Sequence, residues 1–193
     1  MSSSNLAWWG ALGAVLAGVA WVVAGIINVA LAGGQGLEIP GFAPLDEAVY
    51  VIALVGTLGG LVGLHARQAP RYGLPGTAGF LAAFTGCALL LVGIMLTFLA
   101  RGNILGWAFA DLVLGLGFLG TLVGLVLLGA ATLGLGVLPQ WCGILLIICL
   151  PVAVILGNYG GGIVLGLVWL ALGYVLLSQH DVSALVRGSE DGH

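Results

Sequence analysis

Residues 74–100 read LPGTAGFLAAFTGCALLLVGIMLTFLA, a continuous apolar stretch without a charged side chain. A helix needs about 20 apolar residues to cross the roughly 30 Å hydrocarbon core of a bilayer, and this stretch is longer than that. Pro75 falls in the first turn of the predicted helix, where its missing N–H costs nothing. Strands of a membrane barrel would instead be short and alternate with polar residues. The stretch therefore predicts a transmembrane α-helix.

Five further apolar stretches flank this one, separated by short polar or glycine- and proline-rich segments. The predicted spans are residues 6–32, 47–65, 74–100, 104–133, 139–156 and 163–178, and residues 179–193 form a short polar C-terminal tail. Pro151 lies inside the fifth stretch and predicts a kink there. The predicted fold is all-α: a polytopic transmembrane helical bundle of about six spans, in which residues 1–193 form a single transmembrane domain.

The composition indicates the same class. Of the 193 residues, 61% are hydrophobic and 6% are charged, and the mean hydropathy is +1.24. A soluble domain carries about 25% charged residues, so this chain could not cover a water-facing surface. A net charge of −3 and the absence of a basic run argue against nucleic acid as a partner. The expected partner is the lipid bilayer itself.

The first span could be mistaken for a secretory signal peptide, because Ala30-Leu31-Ala32 resembles a cleavage site. However, no Lys or Arg precedes the apolar run, and the run is about twice as long as the usual core of a signal peptide. We therefore expect a retained transmembrane span.

Cysteine and histidine offer little chemistry. The three cysteines lie inside apolar runs without a C-x-x-C pair, which is typical of small packing residues. His65 and His180 both fall at one predicted membrane boundary. A metal site needs at least three convergent ligands, and no spacing here brings three together. We expect no metal and no cofactor.

The distribution of arginine predicts the orientation. The basic residues are all Arg, namely Arg67, Arg71, Arg101 and Arg187. If the N-terminus lies in the cytoplasm, only Arg101 lies outside, and the positive-inside rule favours that arrangement. The absence of Lys is interpreted as lineage bias, with a GC-rich bacterium or archaeon as the source. The predicted location is a prokaryotic plasma membrane with both termini cytoplasmic.

Glycine accounts for 35 residues, and its spacing is regular. Gly56 and Gly60 are four apart, as are Gly120 and Gly124, and Gly79, Gly86 and Gly93 recur at intervals of seven. In lipid, small residues four or seven apart allow two helices to approach closely. The spacing predicts one compact, Gly-rich bundle; a homodimer formed through a remaining glycine face is the competing use.

A short similarity links spans two and four. Residues 54–58, LVGTL, resemble residues 118–122, FLGTL, and the two spans run in the same direction. One interpretation is a repeated two-helix hairpin. Chance similarity in a sequence rich in Gly, Leu and Val is the favoured one.

Two segments resemble a family pattern. Residues 136–143, GVLPQWCG, and residues 61–68, LVGLHARQ, are similar to a loose group of small six-span bacterial membrane proteins of unknown function, which carry L-P-x-W-x-G at the start of helix five. The first segment also has a plain physical explanation, since Pro139 can begin a helix and Trp141 can anchor it at the headgroups. The resemblance implies the six-span layout and no activity.

Asp111 is the most informative polar residue. It lies seven residues into the fourth span, which corresponds to about 10 Å below the membrane boundary. A charged Asp near the centre of a membrane helix costs about 2.5–3.5 kcal/mol. One interpretation is a proton, cation or ligand site. The alternative is a protonated or hydrogen-bonded side chain that ties two helices together, with Tyr50 or Asn28 as the expected partner rather than Arg101.

Other polar residues fall at the same side of the predicted membrane as Asp111. With it, the candidate ligand- or ion-binding residues are Glu47, Tyr50, Arg101, Asn28 and Asn158. Such asymmetry is typical of a polar vestibule open to the outside. The alternative is that these are ordinary residues of the membrane interface.

No sequence motif indicates a reaction, since H-E-x-x-H, G-x-S-x-G and P-loop patterns are absent. The favoured hypothesis is a small membrane protein without catalytic activity that packs with partner subunits, including copies of itself, or binds a small ligand. The alternative is a small transporter or an ion or proton channel that uses Asp111. An intramembrane enzyme or cofactor carrier is the third hypothesis.

Overall fold

The computed structural model describes residues 3–33, 43–68, 73–99, 104–136 and 138–190, with side chains over residues 6–30, 47–68, 73–99, 105–136 and 138–178. The helices are α1 (Ser3–Gly33), α2 (Ala43–Gln68), α3 (Leu74–Leu99), α4 (Ile104–Leu135), α5 (Gln140–Leu156) and α6 (Gly161–Glu190). A 3₁₀ turn, Gly157–Tyr159, joins α5 to α6. Each of the six helices is long and apolar enough to cross a membrane. The predicted all-α bundle is confirmed, and the chain is an integral membrane protein.

Several helices are longer than the predicted spans. α2 begins at Ala43, before the predicted start at Glu47, and α6 continues past Ser178 through most of the predicted polar tail to Glu190. Polar residues do not end a helix at the membrane boundary, because the helix satisfies its own backbone hydrogen bonds in water as well as in lipid. The α4 helix has 32 residues, more than the about 20 needed to cross the core.

The six helices form a closed ring. Each helix packs antiparallel against its neighbours in the chain, and α6 packs against α1. Contacts between backbones show this order: Gly10 of α1 lies against Gly63 of α2, and Gly25 of α1 lies against Ile163 of α6. Because successive helices alternate in direction, the 3₁₀ turn shares one end of the ring with the C-terminus of α1 and the N-terminus of α2. We call this the turn end.

Glycine sets the closest helix contacts, as the spacing predicts. A Cβ added at Gly56 would lie 2.6 Å from the backbone nitrogen of Ala17, and one added at Gly124 would collide with the backbone of Ala83. No atom lies within 4 Å of a Cβ added at Gly115, on another face of the same α4 helix. The contacts between α1 and α2 and between α3 and α4 are therefore backbone against backbone, as expected for helix association in lipid.

Polar and aromatic contacts close the ring at the end opposite the turn. The hydroxyl oxygen of Thr132 in α4 lies 3.1 Å from Oε1 of Gln68 in α2, so these side chains meet across the interior. The rings of His65 and Phe80 stack with their centroids 4.0 Å apart. Arg67 donates from Nη1 to the backbone oxygen of Leu176, 2.5 Å away. These contacts fill the interior of the ring at this end, so the open space inside the ring lies towards the turn end.

Candidate functional site

A cavity of about 320 Å³ lies inside the ring, lined by residues of all six helices and of the 3₁₀ turn. Small residues contribute to the space, since Ala153, Gly161 and Gly162 line it where α5 passes into α6. The turn itself depends on glycine, because Gly157 and Gly160 adopt positive φ angles of 49° and 123°, a region that side chains disfavour. The sharp reversal of the chain thus shapes one wall of the cavity.

Trp169 of α6 forms the floor of the cavity. Its side chain is 1% exposed and lines the cavity. A Cβ added at Gly60 of α2 would lie 2.7 Å from the Trp169 ring, so the indole packs directly against the backbone of α2. The absence of a side chain at Gly60 is what lets the indole fit. Trp169 is the residue of α6 furthest from the turn end that lines the cavity.

A connected series of polar and aromatic side chains runs down the α1–α2 wall. Nδ2 of Asn28 donates to the hydroxyl oxygen of Tyr50 over 2.6 Å. The Tyr50 ring meets the Trp21 indole edge to face, with centroids 5.6 Å apart. Nε1 of Trp21 then donates to the hydroxyl oxygen of Thr57 over 3.2 Å. The wall thus offers neutral hydrogen-bonding groups at two depths: Asn28 and Tyr50 towards the turn end, and Thr57 further inside.

The opposite wall is mostly apolar. Its polar members are Cys87 and Thr121, which face each other from α3 and α4. The Thr121 hydroxyl lies 2.8 Å from the backbone oxygen of Gly117 in its own helix and 3.7 Å from Sγ of Cys87. Its proton is therefore used within the protein, and this wall offers a ligand mainly van der Waals contact.

The cavity opens towards the surroundings of the bundle between α4 and α5. Phe118 of α4 and Val154 of α5 both line the cavity, yet they are 37% and 56% exposed on the outside of the bundle. Residues that belong to both surfaces mark the edge of an opening. Asn158, in the turn after α5, also lines the cavity and is exposed. A ligand could thus enter from the hydrocarbon region or from the membrane surface at the turn end.

The structure brings together three of the residues that the sequence indicates. Asn28, Tyr50 and Asn158 line the cavity. Glu47 is partly exposed one helical turn before Tyr50 and does not line it. Arg101 lies outside the described residues.

Asp111 lies away from this site. Its side chain is exposed on the outside of α4 and does not line the cavity. Its two expected partners, Asn28 and Tyr50, are hydrogen-bonded to each other. Among the described residues, Asp111 makes no hydrogen bond.

Sequence reasoning missed the inner half of the site. Trp21 and Trp169, which no sequence pattern singles out, both line the cavity. A signal did exist in the similarity between residues 54–58 and 118–122. Its shared threonines, Thr57 and Thr121, face the cavity from α2 and α4.

In the part of the chain that the structure describes, no group of three or more His, Cys, Asp or Glu residues converges. The three cysteines are free and buried. Comparison with protein-family models, curated proteins and solved structures found no match for this chain.

Proposed function

We propose that this protein is a non-catalytic membrane protein that binds a small, mainly apolar and uncharged ligand in the cavity at the turn end of the bundle. The observation that carries the proposal is the cavity itself. Ligand sites are typically concave, about 300–1,000 Å³ in volume and mostly apolar, with a few placed polar groups. A cavity of about 320 Å³ with its polar groups on one wall fits that description.

The lining supports a neutral ligand. Its polar side chains are those of Asn, Tyr, Thr, Trp and Cys, and among the residues that the structure describes no Asp, Glu, Lys, Arg or His belongs to it. Burying a charge without a partner costs far more than burying a hydrogen-bonded polar group, so an ion would be poorly accommodated. Transport through Asp111, the alternative hypothesis, gains no support, because Asp111 does not line the cavity.

The setting of the protein is part of the proposal. The arginine distribution favours a prokaryotic plasma membrane with both termini in the cytoplasm. In that orientation the turn end faces outwards, and the cavity lies in the outer half of the membrane. The bilayer supplies the surroundings, homo-oligomers or other membrane subunits are the further partners proposed, and nucleic acid is not one. The resemblance to the loose group of six-span bacterial proteins agrees with this setting.

Fluorine NMR on the purified protein in lipid nanodiscs tests the proposal. The probe is para-trifluoromethyl acetophenone, a small neutral ketone whose fluorine signal reports exchange between lipid and a protein site. We expect a saturable component with the wild-type protein, in addition to non-saturable partition into lipid. The Leu165→Trp substitution should abolish that component, because Leu165 lines the cavity and the larger side chain fills it.

The control variant is Leu167→Trp, the same substitution two residues along α6. Leu167 is exposed on the outside of the bundle and does not line the cavity, so saturable binding should persist. If Leu165→Trp fails to fold, Leu54→Phe offers a second way to reduce the cavity from α2. The proposal fails if the wild type shows no saturable component, or if both tryptophan variants retain it equally.

A further inference from the structure

We infer that the cavity selects a ligand that carries a hydrogen-bond-accepting oxygen, such as a carbonyl group, at its buried end, and that Thr57 is the donor that selects it. This inference rests on the proposed function and specifies the chemistry of its ligand. It depends on the hydrogen bonds of Thr57, on the position of Thr57 in the cavity and on the neutrality of the lining.

The first step concerns the direction of the hydrogen bond at Thr57. An indole N–H can only donate, whereas a hydroxyl group has one proton to donate and two lone pairs that accept. The 3.2 Å contact with Nε1 of Trp21 therefore uses Thr57 as an acceptor. The proton of the Thr57 hydroxyl remains to be donated, and it meets no acceptor among the described residues.

A comparison with the other described threonines whose side chains are buried or half-buried shows that this is unusual. Thr121 and Thr132 each donate to a carbonyl oxygen four residues earlier in the same helix, over 2.8 Å, and Thr97 donates to the carbonyl oxygen of Ile94 over 2.7 Å. Such bonds within the helix are the ordinary way to satisfy a hydroxyl group in a membrane span. The structure shows no such bond for Thr57, whose side chain is 4% exposed. A buried donor without an acceptor is costly.

The second step concerns position. Thr57 lies on α2 seven residues after Tyr50, which corresponds to about 10 Å of helix rise. Leu54 lines the cavity between them, and Gly60, against which the Trp169 floor packs, follows one turn later. Thr57 therefore places a donor at the inner end of the cavity, whereas Asn28 and Tyr50 are already bonded to each other near the opening.

The third step concerns charge. A carboxylate at the inner end would be held only by neutral groups, since no cationic side chain among the described residues lines the cavity, and an isolated buried charge is strongly disfavoured. A ketone, aldehyde, ester or quinone oxygen accepts the same hydrogen bond without that cost. The ligand thus combines an apolar body along Leu54 and Leu165 with a neutral acceptor at Thr57.

The test compares two probes of nearly the same shape, para-trifluoromethyl acetophenone and para-trifluoromethyl ethylbenzene, the second of which lacks the carbonyl oxygen. Saturable binding to nanodisc-embedded protein is measured by fluorine NMR for the wild type, Thr57→Val and Thr57→Ser. Valine keeps the shape of threonine without the hydroxyl group, and serine keeps the hydroxyl group.

We expect the wild type to bind the ketone about tenfold more tightly than the hydrocarbon, as for one hydrogen bond to an otherwise unsatisfied buried donor. Thr57→Val should bind both probes equally, and Thr57→Ser should restore the preference. The ketone should also shift the indole N–H resonance of Trp21, which shares the Thr57 oxygen, and the hydrocarbon should shift it less. A purely structural role for Thr57 would not produce a preference that depends on the probe.

The outcomes separate the two proposals. If both probes bind saturably and equally to the wild type, the inference about Thr57 is wrong and the ligand-binding proposal stands. A preference that survives in Thr57→Val also overturns the inference. If neither probe binds saturably, the proposed function and the inference fall together. The wild-type comparison gives a result even if the valine variant does not fold.

Discussion

At the residue scale, the most deeply buried polar pair is Gln68 with Thr132, which are 0% and 1% exposed. The Thr132 hydroxyl lies within hydrogen-bonding distance of both Gln68 Oε1 and the carbonyl oxygen of Leu128, but it has only one proton. If the Gln68 amide is rotated, its NH₂ group donates to Thr132, and Thr132 donates to Leu128. That arrangement also gives a partner to Nε2, which otherwise has none. The pair then ties α2 to α4 at the closed end of the ring.

The Thr132→Val substitution should destabilise the protein by about 1–3 kcal/mol, because it leaves the buried Gln68 amide without its partner. Adding Gln68→Met should recover most of the loss, since both polar groups are then gone. Reversible unfolding in detergent micelles measures the effect. The control is Thr97→Val, because the Thr97 hydroxyl bonds only within its own helix. This account is contradicted if the double variant is destabilised by the sum of the losses that Thr132→Val and Gln68→Met cause separately.

A second prediction at the residue scale concerns the side chain of Asp111. Its side chain is exposed on α4 and makes no hydrogen bond among the described residues, so no buried partner is lost when it is replaced. We expect both Asp111→Asn and Asp111→Leu to unfold within about 0.5 kcal/mol of the wild type, as for other surface substitutions. The same unfolding measurement tests this, and a loss of stability confined to Asp111→Leu would instead indicate a buried polar partner.

At the element scale, the glycines of α4 differ in what surrounds them. A Cβ added at Gly124 would collide with the Ala83 backbone, one at Gly120 would lie 3.2 Å from Cα of Gly86, and one at Gly115 would meet no atom within 4 Å. One helix therefore offers three environments for the same residue type. The contrast separates the effect of helix packing from the general effect of replacing glycine in a helix.

Leucine substitutions at these three positions should therefore form a graded series. Gly124→Leu should destabilise the protein most and Gly120→Leu less, each by about 1–3 kcal/mol or more, because overpacking pushes the two backbones apart. Gly115→Leu should leave stability unchanged, and it serves as the matched control. Thermal unfolding in detergent measures all three. Equal losses at all three positions would mean that the α3–α4 contact is not what these glycines provide.

At the scale of the whole molecule, the ring of six helices is closed at one end and hollow at the other. The closed end carries the Gln68–Thr132 pair, and the turn end carries the cavity. In the proposed orientation, with both termini in the cytoplasm, the closed end faces the cytoplasm. This orientation decides from which side of the membrane a ligand reaches the opening.

Cysteine labelling of intact cells tests the orientation. Gly73, at the start of α3, and Tyr159, in the turn, are both exposed and lie at opposite ends of the bundle. A membrane-impermeant thiol reagent should label Tyr159→Cys and leave Gly73→Cys unlabelled until the cells are opened. The three native cysteines are buried and provide little background. Labelling of Gly73→Cys in intact cells would reverse the proposed topology.

The candidate site was only partly predictable. Asn28, Tyr50 and Asn158 all line the cavity, because all three lie near helix ends that meet at one end of the bundle. Asp111, which the sequence singles out most clearly, lies on the outer face of α4. The direction in which α4 faces could not be predicted, since a helix that is apolar all round carries no amphipathic pattern to orient it.

The sequence by itself determined the membrane class, the six helical spans and the use of glycine at helix contacts. These are local properties, because the thickness of the bilayer sets the length of each apolar run and every backbone polar group must be satisfied within its own helix. Tertiary structure alone decided which side chains face the cavity. Close contacts such as Gly124 against Ala83 set the rotation of each helix, and the packing of Trp169 against Gly60 places its indole in the cavity lining. In lipid, hydrophobicity does not distinguish the inside of a bundle from its outside, so only the fit between helices could place Thr57 in the cavity and Asp111 outside it.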